Sequence, residues 1–162
     1  MLTKIDKKSV KVGKRVNTAH VDKVIRNYKQ ERWANNSKHI GKADSLSVWF
    51  SVEELEEFME DIKKLGGDGV RIYFGAYDND TSENSLYAGR QTVVFVGTKY
   101  KETENGRNNK DMYINTEEGH SILAYNNGTI CPPFCKQIDG DGGFGDIGIT
   151  IVDKGDEGFE IV

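Results

Sequence analysis

The residue types best suited to chemistry lie late in the chain, where a histidine is followed by two cysteines. Cys131 and Cys135 enclose the segment CPPFC, His120 precedes them by eleven residues, and Asp139 follows. A structural zinc site needs about four ligands in compact spacing, so one wide cysteine pair with a distant histidine is a weak match. These residues define one hypothesis, a metal-dependent, hydrolase-like enzyme using His120 with Cys131, Cys135 or Asp139.

The cysteine pair also has states that involve no metal. The two prolines between the cysteines favour a rigid turn that holds both thiols near the surface. We expect a cytoplasmic protein, because the N-terminus lacks the apolar region of a secretion signal, and disulfides are rare in that compartment. Free thiols are therefore the favoured prediction, with a Cys131–Cys135 disulfide and a redox-active pair that cycles between both states as alternatives.

The segment DGDGGFGD, residues 139–146, raises the question of a calcium site. Carboxylates at alternate positions suit a hard cation. However, Phe144 stands where an EF-hand loop needs glycine, and Thr150 stands where it needs glutamate. A glycine-rich loop is the favoured interpretation, so no cofactor is favoured, and zinc and calcium remain alternatives.

A different kind of site is predicted in the segment GVRIYFGAYDND, residues 69–80. In a strand, alternate side chains point to opposite faces. Alternation predicts one face made of Val70, Ile72 and Phe74, directed at the core, and a second face made of Arg71, Tyr73 and Gly75. The strand then leads into a loop at its C-terminal end, where ligand sites in α/β sheets gather.

The candidate ligand- or partner-binding residues are Arg71, Tyr73, Tyr77, Asp78 and Asp80. A guanidinium can bind a carboxylate or phosphate, and tyrosines offer flat faces and hydroxyl donors. The alternative is a sheet face covered by the first helix, in which Arg71 pairs with an acid such as Asp78.

Composition limits the classes of protein. The 162 residues, 36% hydrophobic with a mean hydropathy of −0.61, fit one ordered domain, residues 1–162, in which the lysine-rich residues 1–16 form a basic arm or a short strand. A net charge of −4 makes nucleic acid an unlikely main partner. No apolar run approaches the ~18 residues of a membrane span. A protein or a small molecule is the expected partner.

The elements that position these residues are predicted by periodicity and capping. Asn17 or Thr18 caps a helix that runs through residue 33, and residues 34–44 form a connector. A strand at residues 46–50 precedes a helix that begins with a Ser51–Glu54 capping box and ends at Gly66 and Gly67.

A strand–helix–strand unit at about residues 46–75 is therefore expected, of the kind whose strands are normally parallel. A further strand is predicted at residues 91–100, and a polar loop at 101–110. Short strands follow at residues 111–115 and 121–125, and residues 144–152 are expected to close the sheet. The predicted fold is α+β: a single domain with two helices packed on a mixed sheet.

The segments VWFSVEEL, GVRIYFGAY, TVVFVGTK and CPPFC together resemble a family of small uncharacterised bacterial proteins over residues 45–135. The resemblance implies a bacterial, soluble, single-domain protein and supplies no catalytic residues. With no recognisable catalytic constellation, the leading hypothesis is a non-enzymatic binding domain. Its predicted surface is the Arg71/Tyr73 strand face and the loop after Tyr77.

Overall fold

The computed structural model of the chain has an α+β fold and describes residues 9–80, 84–135, 151–153 and 159–161. Its helices are α1 (Thr18–Tyr28), a π-helical segment (Lys29–Trp33), α2 (Ala34–Ile40) and α3 (Val52–Lys64). Its strands are β1 (Ser47–Trp49), β2 (Gly69–Ala76), β3 (Gln91–Thr103), β4 (Gly106–Asp111), β5 (Tyr113–Thr116), β6 (Gly119–Ile122), β7 (Ala124–Tyr125), β8 (Thr129–Cys131), β9 (Ile151–Asp153) and β10 (Phe159–Ile161). None of the helices in these ranges is long and apolar enough to cross a bilayer.

The first helical region is longer than predicted. Asn17 is the N-cap, as expected, and its side chain accepts a hydrogen bond from the His20 N–H at 2.9 Å. The predicted connector is wrong for residues 34–40, because the helix continues without a break through α2. It ends at Gly41, whose φ of 73° supplies the left-handed C-cap. By contrast, residues 9–16 form no strand, so the predicted short strand is wrong. The alternative, a basic arm, stays a prediction.

The strands of the described ranges form separate sheets. The largest has the order β2–β3–β4, with β7 pairing β3 as well; β1 pairs β8, β5 pairs β6, and β9 pairs β10. The β3–β4, β3–β7, β1–β8, β5–β6 and β9–β10 pairs are all antiparallel. Of the segment expected to close the sheet, residues 144–150 lie outside the described residues, and β9 pairs β10.

The predicted strand–helix–strand order is confirmed, but the expected pairing is wrong. β1, α3 and β2 follow one another, yet β1 pairs β8 and β2 pairs β3, so the two strands lie in different sheets. The physical reason lies in β3, which forms hairpins with its sequence neighbours. The polar segment 101–110, predicted as a loop, is the hairpin between β3 and β4, turning at Glu104–Asn105.

The chain divides into two compact units, each assembled from discontinuous segments. Unit 1 consists of Met1–Val12, Phe50–Gly75 and Val93–Asn127; unit 2 consists of Gly13–Trp49, Ala76–Thr92 and Gly128–Val162. In unit 1, α3 buries Phe58 and Ile62 against Leu123, with further apolar side chains packed around them: Phe95, Met112, Ile114 and Tyr125. In unit 2, Ile130 on β8 is fully buried.

The capping box of α3 is confirmed and fixes where the helix begins. Ser51 Oγ accepts from the Glu54 N–H at 3.1 Å, and the Glu54 carboxylate accepts from the Ser51 N–H at 2.8 Å. The hydrogen bond from the Ser51 side chain, followed by that from its backbone, lowers the pKa of Glu54 below its usual value. A lowered carboxyl pKa in the folded state adds stability that is present above the unfolded pKa and is lost as pH falls through the folded pKa.

We expect Ser51→Ala to lower the free energy of unfolding by about 1 kcal/mol at neutral pH, because the N-cap hydroxyl is lost. The difference from the unmodified chain should shrink as the pH falls through the folded pKa of Glu54. Urea unfolding at several pH values measures both effects. Glu56→Ala, at an exposed position of the same helix, is the control and should change little. A pH-independent difference would contradict this account.

Candidate functional site

Two of the predicted site residues, Arg71 and Tyr73, are brought together with Asp111 in unit 1. The Arg71 guanidinium forms an ion pair with Asp111 and also donates to the Asn109 carbonyl. Arg71 Nη1 donates to the Tyr73 hydroxyl at 3.2 Å, and that hydroxyl donates to Asp111 Oδ2. The hydrogen bond with Tyr73, and then the charge of Asp111, raise the pKa of Arg71 above its usual value.

This geometry agrees with the alternative interpretation of Arg71, although the acid is different. The partner is Asp111 at the end of β4, not Asp78. Asp111 was missed because the cross-strand neighbour depends on the β3–β4 hairpin, which the sequence did not predict. Arg71 therefore holds its own sheet together, and its guanidinium is already engaged by Asp111 and Asn109.

The other face of β2 differs from the prediction in its burial. A Cβ at Gly97 would meet Ile62 of α3, whereas a Cβ at Gly69 would meet Thr98 Oγ1, so Gly97 and Gly69 lie on opposite faces. By alternation, Val70, Ile72 and Phe74 lie on the α3 face, as predicted. They are nevertheless 37%, 52% and 83% exposed, so the prediction that they form the core is wrong.

The physical reason is the position of α3 over the sheet. Its buried residues, Phe58 and Ile62, pack with Leu123 and with residues of β3 and β7, that is, over the middle of the sheet. β2 is the outer strand in the order β2–β3–β4. The apolar row of β2, defined here as Val70, Ile72 and Phe74, therefore remains exposed to solvent.

The remaining predicted site residues belong to unit 2. Tyr77 is half-buried; its hydroxyl accepts from Thr92 Oγ1 at 3.2 Å, and its ring centroid lies 5.3 Å from that of Tyr87. Asp78 and Asp80 are exposed in the loop that follows β2. Tyr87 continues the aromatic contacts to Phe134, at 5.8 Å. Tyr77 is thus part of an aromatic packing cluster.

The prediction of free thiols is wrong, because Cys131 and Cys135 form a disulfide with a Cα–Cα distance of 4.7 Å. The structure shows the Cys131–Cys135 disulfide that the sequence analysis gave as an alternative. The reason is geometric: the CPPFC turn brings the two Cα atoms within the bonding range, 4.4–6.8 Å. Cys131 is buried at the end of β8, and Cys135 is half-buried.

Those proposed metal ligands that the structure describes are not grouped into a metal site. His120 is exposed on β6, opposite Asn115 of β5. Asp139 and the rest of the segment 139–146 lie outside the described residues. Within the described ranges, no group of three or more His, Cys, Asp or Glu side chains is placed to hold a metal ion.

A buried polar cluster in unit 2 was not predicted. Asp44 and Arg90 are only 2% and 7% exposed. Asp44 Oδ1 accepts from the Gln91 N–H at 2.6 Å and the Ser45 N–H at 2.8 Å, and Arg90 donates to the Ala43 carbonyl. Burial lowers the pKa of Arg90, and the charge of Asp44 opposes that shift. Asp44 therefore serves as a buried hydrogen-bond acceptor.

The only signal for this cluster in the sequence is an arginine directly before an apolar strand, and such an arginine is more often at the surface. Arg90 Nε makes no hydrogen bond within the part of the chain that the structure describes. The cluster satisfies backbone groups of its own unit, so we interpret it as a structural feature of unit 2.

Comparison with known proteins adds no candidate residues to those found in the geometry. The resemblance to a small bacterial family therefore stays a prediction. No protein-family model, curated protein or solved structure matches the chain.

Proposed function

We propose that this chain is a non-enzymatic protein-binding domain whose contact strand is β2. The observation that supports the proposal is the exposed apolar row Val70, Ile72 and Phe74 on an outer strand. Soluble proteins seldom leave contiguous apolar side chains in water unless a partner covers them. β2 is also the strand that the sequence singled out, although the supporting row is on the face opposite Arg71 and Tyr73.

The backbone of β2 supports the same proposal. Tyr77 donates its N–H to the Arg90 carbonyl on the incoming end of β3. In an antiparallel pair, alternate residues point their backbone groups to the same side. Alternate residues of β2 therefore direct their N–H and C=O groups away from β3, towards the outer edge, where a partner strand can pair with them.

The composition of β2 gives this edge little protection. Outer strands are commonly shielded by proline, by lysine or by a covering element. β2 contains neither proline nor lysine, and its charged residue, Arg71, is engaged with Asp111. A partner that adds a strand would gain both backbone hydrogen bonds and the burial of the apolar row.

We expect a photo-reactive benzoylphenylalanine at position 74 to cross-link the chain to one discrete protein in its native host cell, because Phe74 is the most exposed member of the row. The matched control carries the same probe at position 113, since Tyr113 is also an exposed aromatic residue of unit 1. Mass spectrometry of the cross-linked species identifies the partner.

A discrete band from position 74 and none from position 113 would support the proposal. Equal, diffuse cross-linking from both positions would contradict it, because exposure alone would then explain the reaction. A band at twice the mass of the chain identifies a second copy as the partner, and any other mass identifies a different protein.

The two alternative functions have less support. Among the described residues nothing gathers a metal site around His120, Cys131 and Cys135. The Cys131–Cys135 disulfide is the oxidised form that a redox-active pair requires, but Cys131 is buried, and reactive cysteines are typically accessible. The disulfide also weighs against the predicted cytoplasmic location, since such bonds persist in oxidising compartments.

A further inference from the structure

We infer that the partner of β2 is β2 of a second copy of this chain, paired antiparallel about a two-fold axis at Ile72. This inference rests on the proposed function, because it names the partner of the same strand. It follows from the order of residue types along β2, from the alternation of its backbone groups, and from the position of α3.

The order of residue types in residues 69–75, GVRIYFG, is symmetrical about its centre except at Arg71 and Tyr73. In an antiparallel pair centred on Ile72, Gly69 lies opposite Gly75 of the second copy, and Val70 lies opposite Phe74. Each apolar residue then meets an apolar residue, and each glycine meets a glycine. Cross-strand pairs of apolar side chains are the unit of sheet stabilisation.

The separation of like charges favours the same register. Centring the pair on Ile72 places Arg71 opposite Tyr73 of the second copy, whereas centring it on Arg71 would place two guanidinium groups face to face. Like charges directly opposite each other are destabilising. Arg71 and Tyr73 are compatible neighbours already within one chain, where the guanidinium lies 5.9 Å from the tyrosine ring.

The backbone excludes a slip by one residue. Facing residues of an antiparallel pair either both direct their backbone groups at each other or both direct them away, so Val70, Ile72 and Phe74 can face only residues of the same parity in the second copy. A one-residue slip would set outward groups against inward groups and would place the apolar row opposite the polar face.

The helix next to the strand extends the apolar surface. On one side of β3, the Gly97 N–H donates to the Leu123 carbonyl and the Gly97 carbonyl accepts from the Met112 N–H. On the other side, the Thr98 carbonyl accepts from the Asp68 N–H. β7 and β2 therefore lie on opposite sides of β3. Glu54 of α3 bonds Tyr125 on the β7 side.

Met59 follows Glu54 by five residues, about 140° round the helix, and so lies on the flank nearer β2. Met59 is exposed, like the apolar row. In the two-fold pair both apolar rows lie on one face of a continuous sheet, between the two α3 helices.

The size of this contact predicts a modest affinity. A paired strand of seven residues is about 23 Å long, and with the flanking Met59 it falls at or below the ~800 Å² per partner of standard interfaces. We therefore expect a dimer that dissociates on the order of micromolar concentrations. Sedimentation should show monomer at the lowest concentrations and dimer at ~100 μM.

Ile72→Cys tests the register directly. On the two-fold axis the two Cα atoms at position 72 would lie about 4.5–5.5 Å apart, within the range that a disulfide spans. We expect mild oxidation of this variant at ~100 μM to give a covalent dimer on a non-reducing gel. The native cysteines do not compete, because they are already paired with each other.

Phe74→Cys is the matched control, because its two copies would lie about 14 Å apart along the strands and should not cross-link. A mixture of Val70→Cys and Phe74→Cys should cross-link, since these residues face each other in this register. Ile72→Lys should shift the chain to monomer by placing two ammonium groups across the axis, whereas Tyr113→Lys should not.

Each other outcome overturns the inference. A chain that is monomeric at all concentrations excludes the second copy; if the probe at position 74 still cross-links another protein, the proposed binding function stands and only this inference fails. A dimer in which Ile72→Cys does not cross-link, or Ile72→Lys has no effect, uses another surface or register.

Discussion

We expect Ile62→Ala to lower the free energy of unfolding by about 3 kcal/mol, because truncating a buried isoleucine to alanine costs ~2–5 kcal/mol. Ile62 is 2% exposed and joins α3 to the sheet of unit 1. The backbone on both sides is shaped to it: a Cβ at Gly67 would lie 2.5 Å from Ile62 Cγ2, and a Cβ at Gly97 would lie 2.9 Å from Cγ1. Neither glycine has a side chain that can fill the cavity, so the cost should not be relieved.

Urea unfolding followed by far-UV circular dichroism measures this effect. Leu65→Ala is the control, because it removes a leucine from the C-terminal end of the same helix at a position that is 52% exposed. It should cost under about 1 kcal/mol, since little buried area is lost. If the two variants are destabilised equally, Ile62 does not anchor α3 to the sheet, and the exposure of the apolar row of β2 needs another explanation.

Local features of the fold could be predicted because they depend on residues close together in the sequence. The Ser51–Glu54 box and the apolar spacing of α3 fix that helix, and Asn17 fixes the start of the first one. Strand pairing depends on distant residues. The partner of β1 is β8, about eighty residues later, and nothing in SVW or TIC specifies the other.

The candidate site shows the same division. Alternation correctly placed Val70, Ile72 and Phe74 on the α3 face of β2. It could not show that they are exposed, because that depends on how far α3 reaches across the sheet. Similarly, Arg71 needed an acid, but the choice of Asp111 depends on the β3–β4 hairpin.

The disulfide was mispredicted for a different reason. The preference for free thiols came from the expected compartment and not from the local chain, whereas the bond depends on the geometry of the CPPFC turn. A five-residue segment with two prolines restricts the chain enough to bring both cysteines together. Compartment is a weaker guide than turn geometry when the two cysteines are this close in sequence.

We expect Asp44→Ala to lower the stability of unit 2 by about 3 kcal/mol. The carboxylate accepts two backbone N–H groups, and removing a buried acceptor leaves them unsatisfied at ~1–3 kcal/mol. Its charge also favours the charged form of the buried Arg90, and removing one member of a buried pair of charges adds to the cost. Tryptophan fluorescence during urea unfolding is the natural measurement, because Trp33 and Trp49 both belong to unit 2 and Trp33 Nε1 donates to the Asp44 carbonyl at 2.7 Å.

Asp44→Asn separates hydrogen bonding from charge, since the amide oxygen can still accept from the Gln91 and Ser45 N–H groups while the charge is gone. We expect it to lose less stability than Asp44→Ala. Combining each change with Arg90→Met should then reduce its cost, because no buried guanidinium remains to be compensated. If Asp44→Asn is as damaging as Asp44→Ala and Arg90→Met relieves neither, the hydrogen bonds and the charge of Asp44 are not what hold unit 2 together.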